Sequence, residues 1–326
     1  MSYSVAIRTL GTSPDTLKKE LESLHNQTIM PDKIVVYIAR GYSRPDFSIG
    51  IEQYVDVPKG MVAQRALDYK EIDSEYLFLL DDDVVFARNS AEILLSQLID
   101  SEADCVAVDT FANHKMTILA KAKAAVSNLV FPYFGQKWAF MLHSNGSFYY
   151  INNPRRDLYL SQSAAGPASL WKKSSLLAIS LEDELWLDSF GFAYGDDDLE
   201  FYKLYINGGK LMVSFSSGVV NLDSKSSSAA FQKSPQRLFV RSMSNLIRWH
   251  RMHYLPRNKR GRILASLSFT LKESWMAAIH MALSIVQLNP APIRSFLGGM
   301  KKGRAYIRSN KYKQLPKYKN EDFVLR

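Results

Sequence analysis

The chain is predicted to be an α/β protein, a mostly parallel sheet flanked by helices and followed by a basic α-helical extension. Three observations point there. Short runs of β-forming residues alternate with amphipathic helical patterns as far as about residue 225. Hydrophobic residues make up 47% of the 326 positions, enough for one large domain or one domain plus a smaller appendage. The charge is divided: from residue 241 onward 18 Lys+Arg face 3 Asp+Glu, a net +15, against −6 for everything before.

The elements follow in order. "YSVAIRTL" reads as a strand, and "SPDTLKKELESLHNQ" as a helix with Ser13 as cap, Pro14 at its first position and Leu17, Leu21 and Leu24 on one face. "DKIVVYIAR" is the second strand and "EQYVDVP" a short third. "GMVAQRALDYKEI" is predicted as a helix leading into the buried strand "EYLFLL" and three consecutive aspartates. "NSAEILLSQLI" reads as a capped helix, and "DCVAVDT" as the next strand. Aromatic clusters and polar breaks over residues 111 to 165 suggest hairpins and irregular loops, before "LYLSQSAAGPASLWKKSSL" returns to the core. "GDDDLEFYKLYINGG" is predicted as a helix with an acidic first turn and a stop at Gly208 and Gly209. "KLMVSFSSGVVNLD" is strand material, and beyond about residue 235 the pattern is helical and basic.

Bulk properties exclude several classes. The single cysteine, Cys105, allows no disulfide framework and no cysteine-based metal site, which fits a reducing, cytoplasmic compartment. The opening residues lack a basic region followed by a long apolar core, so no secretory signal is expected. No stretch reaches the roughly 18 to 20 apolar residues that a spanning helix needs.

Two acidic clusters carry the chemistry. In "YLFLLDDDVVF" an apolar strand ends in Asp81, Asp82 and Asp83. Adjacent carboxylates repel by about 1 to 4 kcal/mol per pair near a surface, and a divalent cation relieves that repulsion economically. The strand's carboxyl end is also where α/β sheets bind ligands. A solvated acidic turn is the plainer reading. In "YGDDDLEF", Asp196, Asp197, Asp198 and Glu200 repeat the theme. Acidic residues in a first helical turn meet the helix dipole, which accounts for one or two of them but not readily for four. A carboxylate there has the chemistry of a general base.

Taken together, these stretches resemble the family 2 glycosyltransferases, nucleotide-sugar-dependent enzymes with the GT-A fold. The similarity covers roughly residues 3 to 225: the opening strand, the helix ending in "NQT", the second strand, the aspartate stretch, "AAGPASLWKKSSL" and "FGFAYGDDDLEFYKLYINGGKLMV". No single motif decides it; the order and spacing of all of them do. It implies a catalytic domain over residues 1–225 and a basic helical region over 226–326 for acceptor or membrane association. It further implies donor-side positions at Thr9, Arg65, Asp81, Asp82 and Gly166, and metal ligation of Mn²⁺ or Mg²⁺ by Asp83 and Asp81. Asp198 is the first choice of base with Asp197 close behind, and Asp196, Glu200 and Trp186 fall on the acceptor side. The expected partners are a nucleotide-sugar donor and a glycan or lipid-linked glycan acceptor. The expected reaction is inverting sugar transfer, as in surface polysaccharide synthesis.

The chain departs from the family pattern at three places. Ala66 follows Arg65 where the family has asparagine. Ala39 and Arg40 stand where an aspartate often reads the nucleotide. "GVVNLDSKS" offers Asn221 or Asp223 in place of a metal-contacting histidine.

The tail mixes positive charge with aromatics, and "WMAAIHMALSIVQL" interrupts it with fourteen largely apolar residues, too short to span a bilayer but able to lie in its interface or pack on the catalytic domain. Peripheral attachment to the inner face of the cell membrane is the expectation. His250, His253 and His280 read as packing residues, since no carboxylate pattern accompanies them. Two rival readings stand beside the first. A metal-dependent nucleotidyltransferase would also use paired aspartates, but the sequence has no glycine-rich triphosphate cradle. A non-catalytic membrane- or nucleic-acid-binding protein would rest on the tail alone, and it leaves both acidic clusters unexplained; no nucleic acid is expected as a partner.

Overall fold

The computed structural model describes residues 2–109, 137–151, 153–222 and 227–318, with a few single positions between 110 and 136. In chain order the first strands are β1 (Tyr3–Thr9), β2 (Lys33–Ala39), β3 (Glu52–Val57), β4 (Tyr76–Asp81), β5 (Val84–Phe86) and β6 (Cys105–Val108). They are followed by β7 (Phe140–Leu142), β8 (Phe148–Tyr150), β9 (Leu158–Leu160), β10 (Ala168–Lys172), β11 (Leu211–Ser214) and β12 (Val219–Asn221).

Eight of them form one sheet in the order β3-β2-β1-β4-β10-β6-β11-β9. The pairings leave β9 and β10 running against the other six, so the sheet is mixed and mostly parallel. Unbroken apolar runs such as those of β2 and β4 are the signature of strands covered on both faces, and both are buried through their length apart from their ends.

Alternation along each strand feeds two cores. Val5 and Ile7 of β1 pack with Phe78 and Leu80 against α1 (Pro14–His25) and α2 (Ser90–Asp100), through Leu17, Leu21, Leu24, Leu94, Leu95 and Leu98. Ala6, Leu77, Leu79 and Trp171 face the other way. There they meet α4 (Asp196–Ile206), which follows the short α3 (Lys173–Ala178) and a 3₁₀ segment over Leu181–Phe190. Trp171 stacks on Phe201 with ring centroids 5.6 Å apart.

Neither expected helix cap is made by its own side chain. Ser13 makes no side-chain capping bond; its carbonyl instead accepts from Leu17 N–H and the Thr16 hydroxyl. The first turn of α2 is served by Gln27, whose Oε1 accepts Ala91 N–H at 3.0 Å while its amide donates to Ala87 O and Ser23 O. The helix predicted over "GMVAQRALDYKEI" is also corrected. The segment is a succession of turns, begun by the Asp188 carboxylate, which accepts Val62 N–H and Ala63 N–H at 3.1 and 2.9 Å. It is ended by Tyr69, which adopts a left-handed φ of 48° and donates its hydroxyl to Arg65 O. Long-range polar contacts outweigh the helical period here.

Beyond α5 (Ser227–Lys233) come α6 (Arg237–Trp249), a π-helical turn (His250–Tyr254), α7 (Lys259–Val286), α8 (Ala291–Arg308) and α9 (Asn310–Lys313). The boundary expected at residue 225 falls within 223–226, outside the described residues. The helices after it are built into the body: Met243, Ile247, Met252 and Tyr312 belong to the same core as Trp171. Buried ions tie them down as well. Arg251 reaches Glu184 of the 3₁₀ segment through Nε at 2.8 Å, and Lys203 of α4 approaches the same carboxylate at 3.5 Å. The three histidines pack among aromatics, His250 against Tyr254 and Tyr312, His253 against Tyr202, and His280 against Phe296. Among the described residues no helix is long and apolar enough to cross a membrane.

Candidate active site

The register of the parallel strands aligns their carboxyl ends. Arg8 lies opposite Asp81 and Thr9 opposite Ile38, so β1, β2 and β4 finish along one edge of the sheet. A cleft of about 770 Å³ opens at that edge. Its lining includes Arg8, Thr9, Lys59, Gln64, Arg65, Asp81, Asp82, Asp83 and Gly166 together with Asp188, Tyr194, Asp196, Asp197 and Asn221. The two acidic clusters, more than a hundred residues apart in the chain, therefore share one cavity.

The first cluster is a tight turn between β4 and β5. Asp81 is ion-paired with Arg8, and Asp82 accepts a hydrogen bond from the Thr9 hydroxyl, which itself accepts Gly11 N–H at 2.7 Å. Asp83 is buried, and its carbonyl accepts Leu222 N–H at 2.8 Å beyond the β5–β12 ladder. That ladder sets Asn221 opposite Val84, beside the aspartates. Burial pushes the Asp81 carboxyl up to about 7, with Arg65 opposing and Asp196 adding to the rise. Burial likewise lifts Asp82 to about 6 against the pull of Thr9. Behind them, fully buried Glu20 of α1 is held well above the usual carboxylate range by burial and by Asp82 and Asp83.

The second cluster begins α4. Its N-cap, Gly195, has φ +81°, and the guanidinium of Arg248 lies where a Cβ would project. Only glycine satisfies both conditions. Asp196 and Glu200 are buried and both face Arg65, whose Nη1 stands 3.3 Å from Asp196 Oδ2 and 2.8 Å from Glu200 Oε2. Burial works against the charge on Arg65, but Asp196 and Glu200 outweigh it and hold the guanidinium protonated. Glu200 is pushed up to about 7 by burial, against Arg65. Asp197 is also raised to about 7, by burial and then by Asp196 and Asp198. Its Oδ1 accepts Asp198 N–H at 3.0 Å, and among the described residues it makes no ion pair.

Arg65 ties the two clusters together. Its Nη2 approaches Gly166 O at 3.5 Å, and Arg8 Nη2 reaches the same carbonyl at 3.3 Å. A Cβ on Gly166 would overlap the Arg65 guanidinium. The expected positions Thr9, Arg65, Asp81, Asp82, Asp83, Gly166, Asp196 and Asp197 thus line one cleft, and Glu200 sits directly behind it. Two more expected residues, besides Glu200, are not brought to its surface. Asp198 pairs with Arg248 and accepts Ser163 Oγ at 3.3 Å, outside the lining. Trp186 is buried in the 3₁₀ segment, its indole N–H donated to Glu184 at 2.6 Å. Asp223, weighed as a ligand, lies outside the described residues.

Four residues of the site escaped sequence reasoning. Arg8 carried a signal, a lone cation in an otherwise apolar strand. Gln64 left little trace, being one polar residue of a presumed helix; its amide donates to Thr9 O at 3.0 Å and Tyr37 O at 3.2 Å, fixing the end of β1. Asp188 and Arg248 gave none, since their partners are remote in sequence.

The donor set fits a hard divalent cation. Asp81, Asp83 and Asn221 supply oxygen only, the chemistry that Mg²⁺ and Mn²⁺ favour. Among the described residues no three His, Cys, Asp or Glu side chains converge to hold a metal alone. Mg²⁺ commonly takes one or two protein carboxylates and completes its sphere with water and phosphate.

No protein-family model matches the chain, and no curated protein matches its sequence. Among solved structures, it is similar to the mannosyltransferase PcManGT from Pyrobaculum calidifontis in complex with GDP-Man and Mn²⁺, with a TM-score of 0.52 and 13% identity over 95% of this chain and 81% of that one. The fold is that of the GT-A glycosyltransferases. S. aureus TarS overlaps with a TM-score of 0.49 at 12% identity, over 97% of this chain and 55% of TarS. GalNAc-T7 with UDP, GalNAc and Mn²⁺ gives 0.49 at 14% identity, over 89% of this chain and 59% of that one.

Proposed function

We propose that the protein is a family 2-like inverting glycosyltransferase, moving a sugar from a nucleoside-diphosphate donor to a hydroxyl of a glycan or lipid-linked glycan in surface polysaccharide synthesis. One observation carries this reading: the aspartate turn after β4 and the acidic first turn of α4 line one cleft, with Arg65 holding Asp196 and Glu200 and sharing the Gly166 carbonyl with Arg8, the partner of Asp81. The structure of the mannosyltransferase of like fold is of its complex with GDP-Man and Mn²⁺.

Asp83 and Asp81, with Asn221, would hold a Mn²⁺ or Mg²⁺ ion. When bound, such an ion neutralises charge developing on a departing diphosphate. Arg8 and Lys59 line the same cleft and add positive charge there. Asp197 takes the proton from the acceptor hydroxyl. That oxygen bonds to the anomeric carbon as the bond to the diphosphate breaks, and a single displacement of this kind inverts the centre. We assign the base to Asp197 rather than Asp198 because Asp197 lines the cleft, whereas Asp198 is occupied by Arg248. A base with a pKa near 7 is well matched to work at neutral pH. An acceptor carried on lipid would bring the enzyme to the cytoplasmic face of a membrane.

The test is calorimetric binding of UDP, GDP, dTDP and CMP with Mn²⁺ and with chelator, repeated on Asp83→Asn. Metal-dependent binding of one nucleotide, lost in the variant, is expected. No binding of any nucleotide would remove the donor assignment.

A further inference from the structure

Beyond Arg262 the outer face of α7 carries no charged side chain and is largely apolar. Leu264, Leu267 and Leu271 are 65%, 64% and 67% exposed, and the stripe continues through Trp275, Ala278, Met281 and Ile285 at three- and four-residue spacing. It extends for about 30 Å at the rise of an α-helix. Between Arg262 and Arg294 the charged residues are Lys272 and Glu273, and both are turned inward. They pair at 3.4 Å, and Lys272 also donates to Asn145 O at 3.3 Å. The inner face is fully committed: Phe269 stacks on Trp249 with centroids 4.0 Å apart, His280 packs on Phe296, and Ser284 Oγ accepts Ile293 N–H. These last two pairings make α7 and α8 an antiparallel hairpin.

A stripe this long exceeds the scattered apolar side chains of an ordinary surface, and its borders are cationic. Lys259 and Arg260 are exposed where α7 begins, and on α8 exposed Arg294, Lys301, Arg304 and Arg308 share a helical face with exposed Leu297. We infer that this hairpin seats the protein on an anionic lipid bilayer, with the apolar face of α7 laid into the interface and the cations of α8 against the headgroups. The charges select this occupant over a second copy of the chain. A symmetric pairing would bring together two hairpins that each carry nine Lys+Arg against one Glu over residues 259–308, whereas anionic lipid reverses the sign of the contact. The docking does not rest on the transfer reading, because it is measured without donor or turnover.

The experiment is flotation of the full-length protein with vesicles of phosphatidylcholine containing roughly one third phosphatidylglycerol, and with phosphatidylcholine alone. Binding to the anionic vesicles that weakens with salt is expected. It should fall by about tenfold or more in Leu267→Glu/Leu271→Glu, and in Lys301→Gln/Arg304→Gln on anionic vesicles only. Unchanged unfolding transitions and nucleotide binding would establish that both variants are folded. Failure of the unmodified protein to float on either vesicle would overturn the proposal. So would a concentration-dependent dimer, split by Leu267→Glu/Leu271→Glu, in a protein that ignores vesicles.

Discussion

Replacing Arg65 by methionine removes the one charge that Asp196 and Glu200 share, and its cost should depend on pH in a calculable way. Glu200 ionises near 4.5 in the unfolded chain and near 7 in the folded protein with Arg65 beside it. Between those values the folded state keeps a proton that the unfolded chain has lost, so stability falls as pH rises and levels off above 7. Without Arg65 the folded carboxyl ionises later still, and the fall continues. Each pH unit beyond 7 then costs the variant somewhat more than roughly 1 kcal/mol, or about 2 kcal/mol by pH 8.5. The lost hydrogen bonds add a part that does not depend on pH, for a total of about 3 to 5 kcal/mol at about pH 8.5. Urea denaturation followed by tryptophan fluorescence, at about pH 6 and about pH 8.5 without divalent metal, measures both parts. Equal losses at the two pH values would contradict the coupling of Arg65 to Glu200.

Other outcomes follow from the same geometry. Asp197→Asn should lower transfer by about 10² to 10⁴-fold while leaving metal-dependent nucleotide binding intact, and Asp198→Asn should do less. The pH profile of kcat/KM in the unmodified enzyme should rise through about 7 as Asp197 loses its proton; a flat profile from 5 to 9 would remove Asp197 as base. Gly166→Ala should displace the Arg65 guanidinium and cost about 1 to 3 kcal/mol. In an Arg65→Met background the same change should cost much less, which a double-mutant cycle in urea would show.

Much of the fold was legible because it rests on local pattern. Apolar runs with strand period fixed β1, β2, β4, β6 and β11, and the leucine spacing fixed α1 and its buried face. The acidic stretches were visible as costly concentrations of like charge, and the strand's end located the first of them at the ligand-binding edge of the sheet. The segment over residues 60–72 misled because its apolar spacing satisfies a helix while its polar side chains bind elsewhere: Gln64 to the end of β1, and Arg65 to α4.

The sequence by itself determined the class of fold, the two carboxylate clusters, and a cationic C-terminal region, since each depends on residue type and spacing along the chain. Tertiary structure decided which carboxylates face the cleft, because that depends on remote cations. Arg248, supplied by the C-terminal helices, withdraws Asp198, and Arg65 engages Asp196 and Glu200, leaving Asp197 toward the cavity. It also decided that α7 turns Lys272 and Glu273 inward and its leucines out. A helical period marks two faces on a sequence, but the neighbouring helices choose which of them is covered.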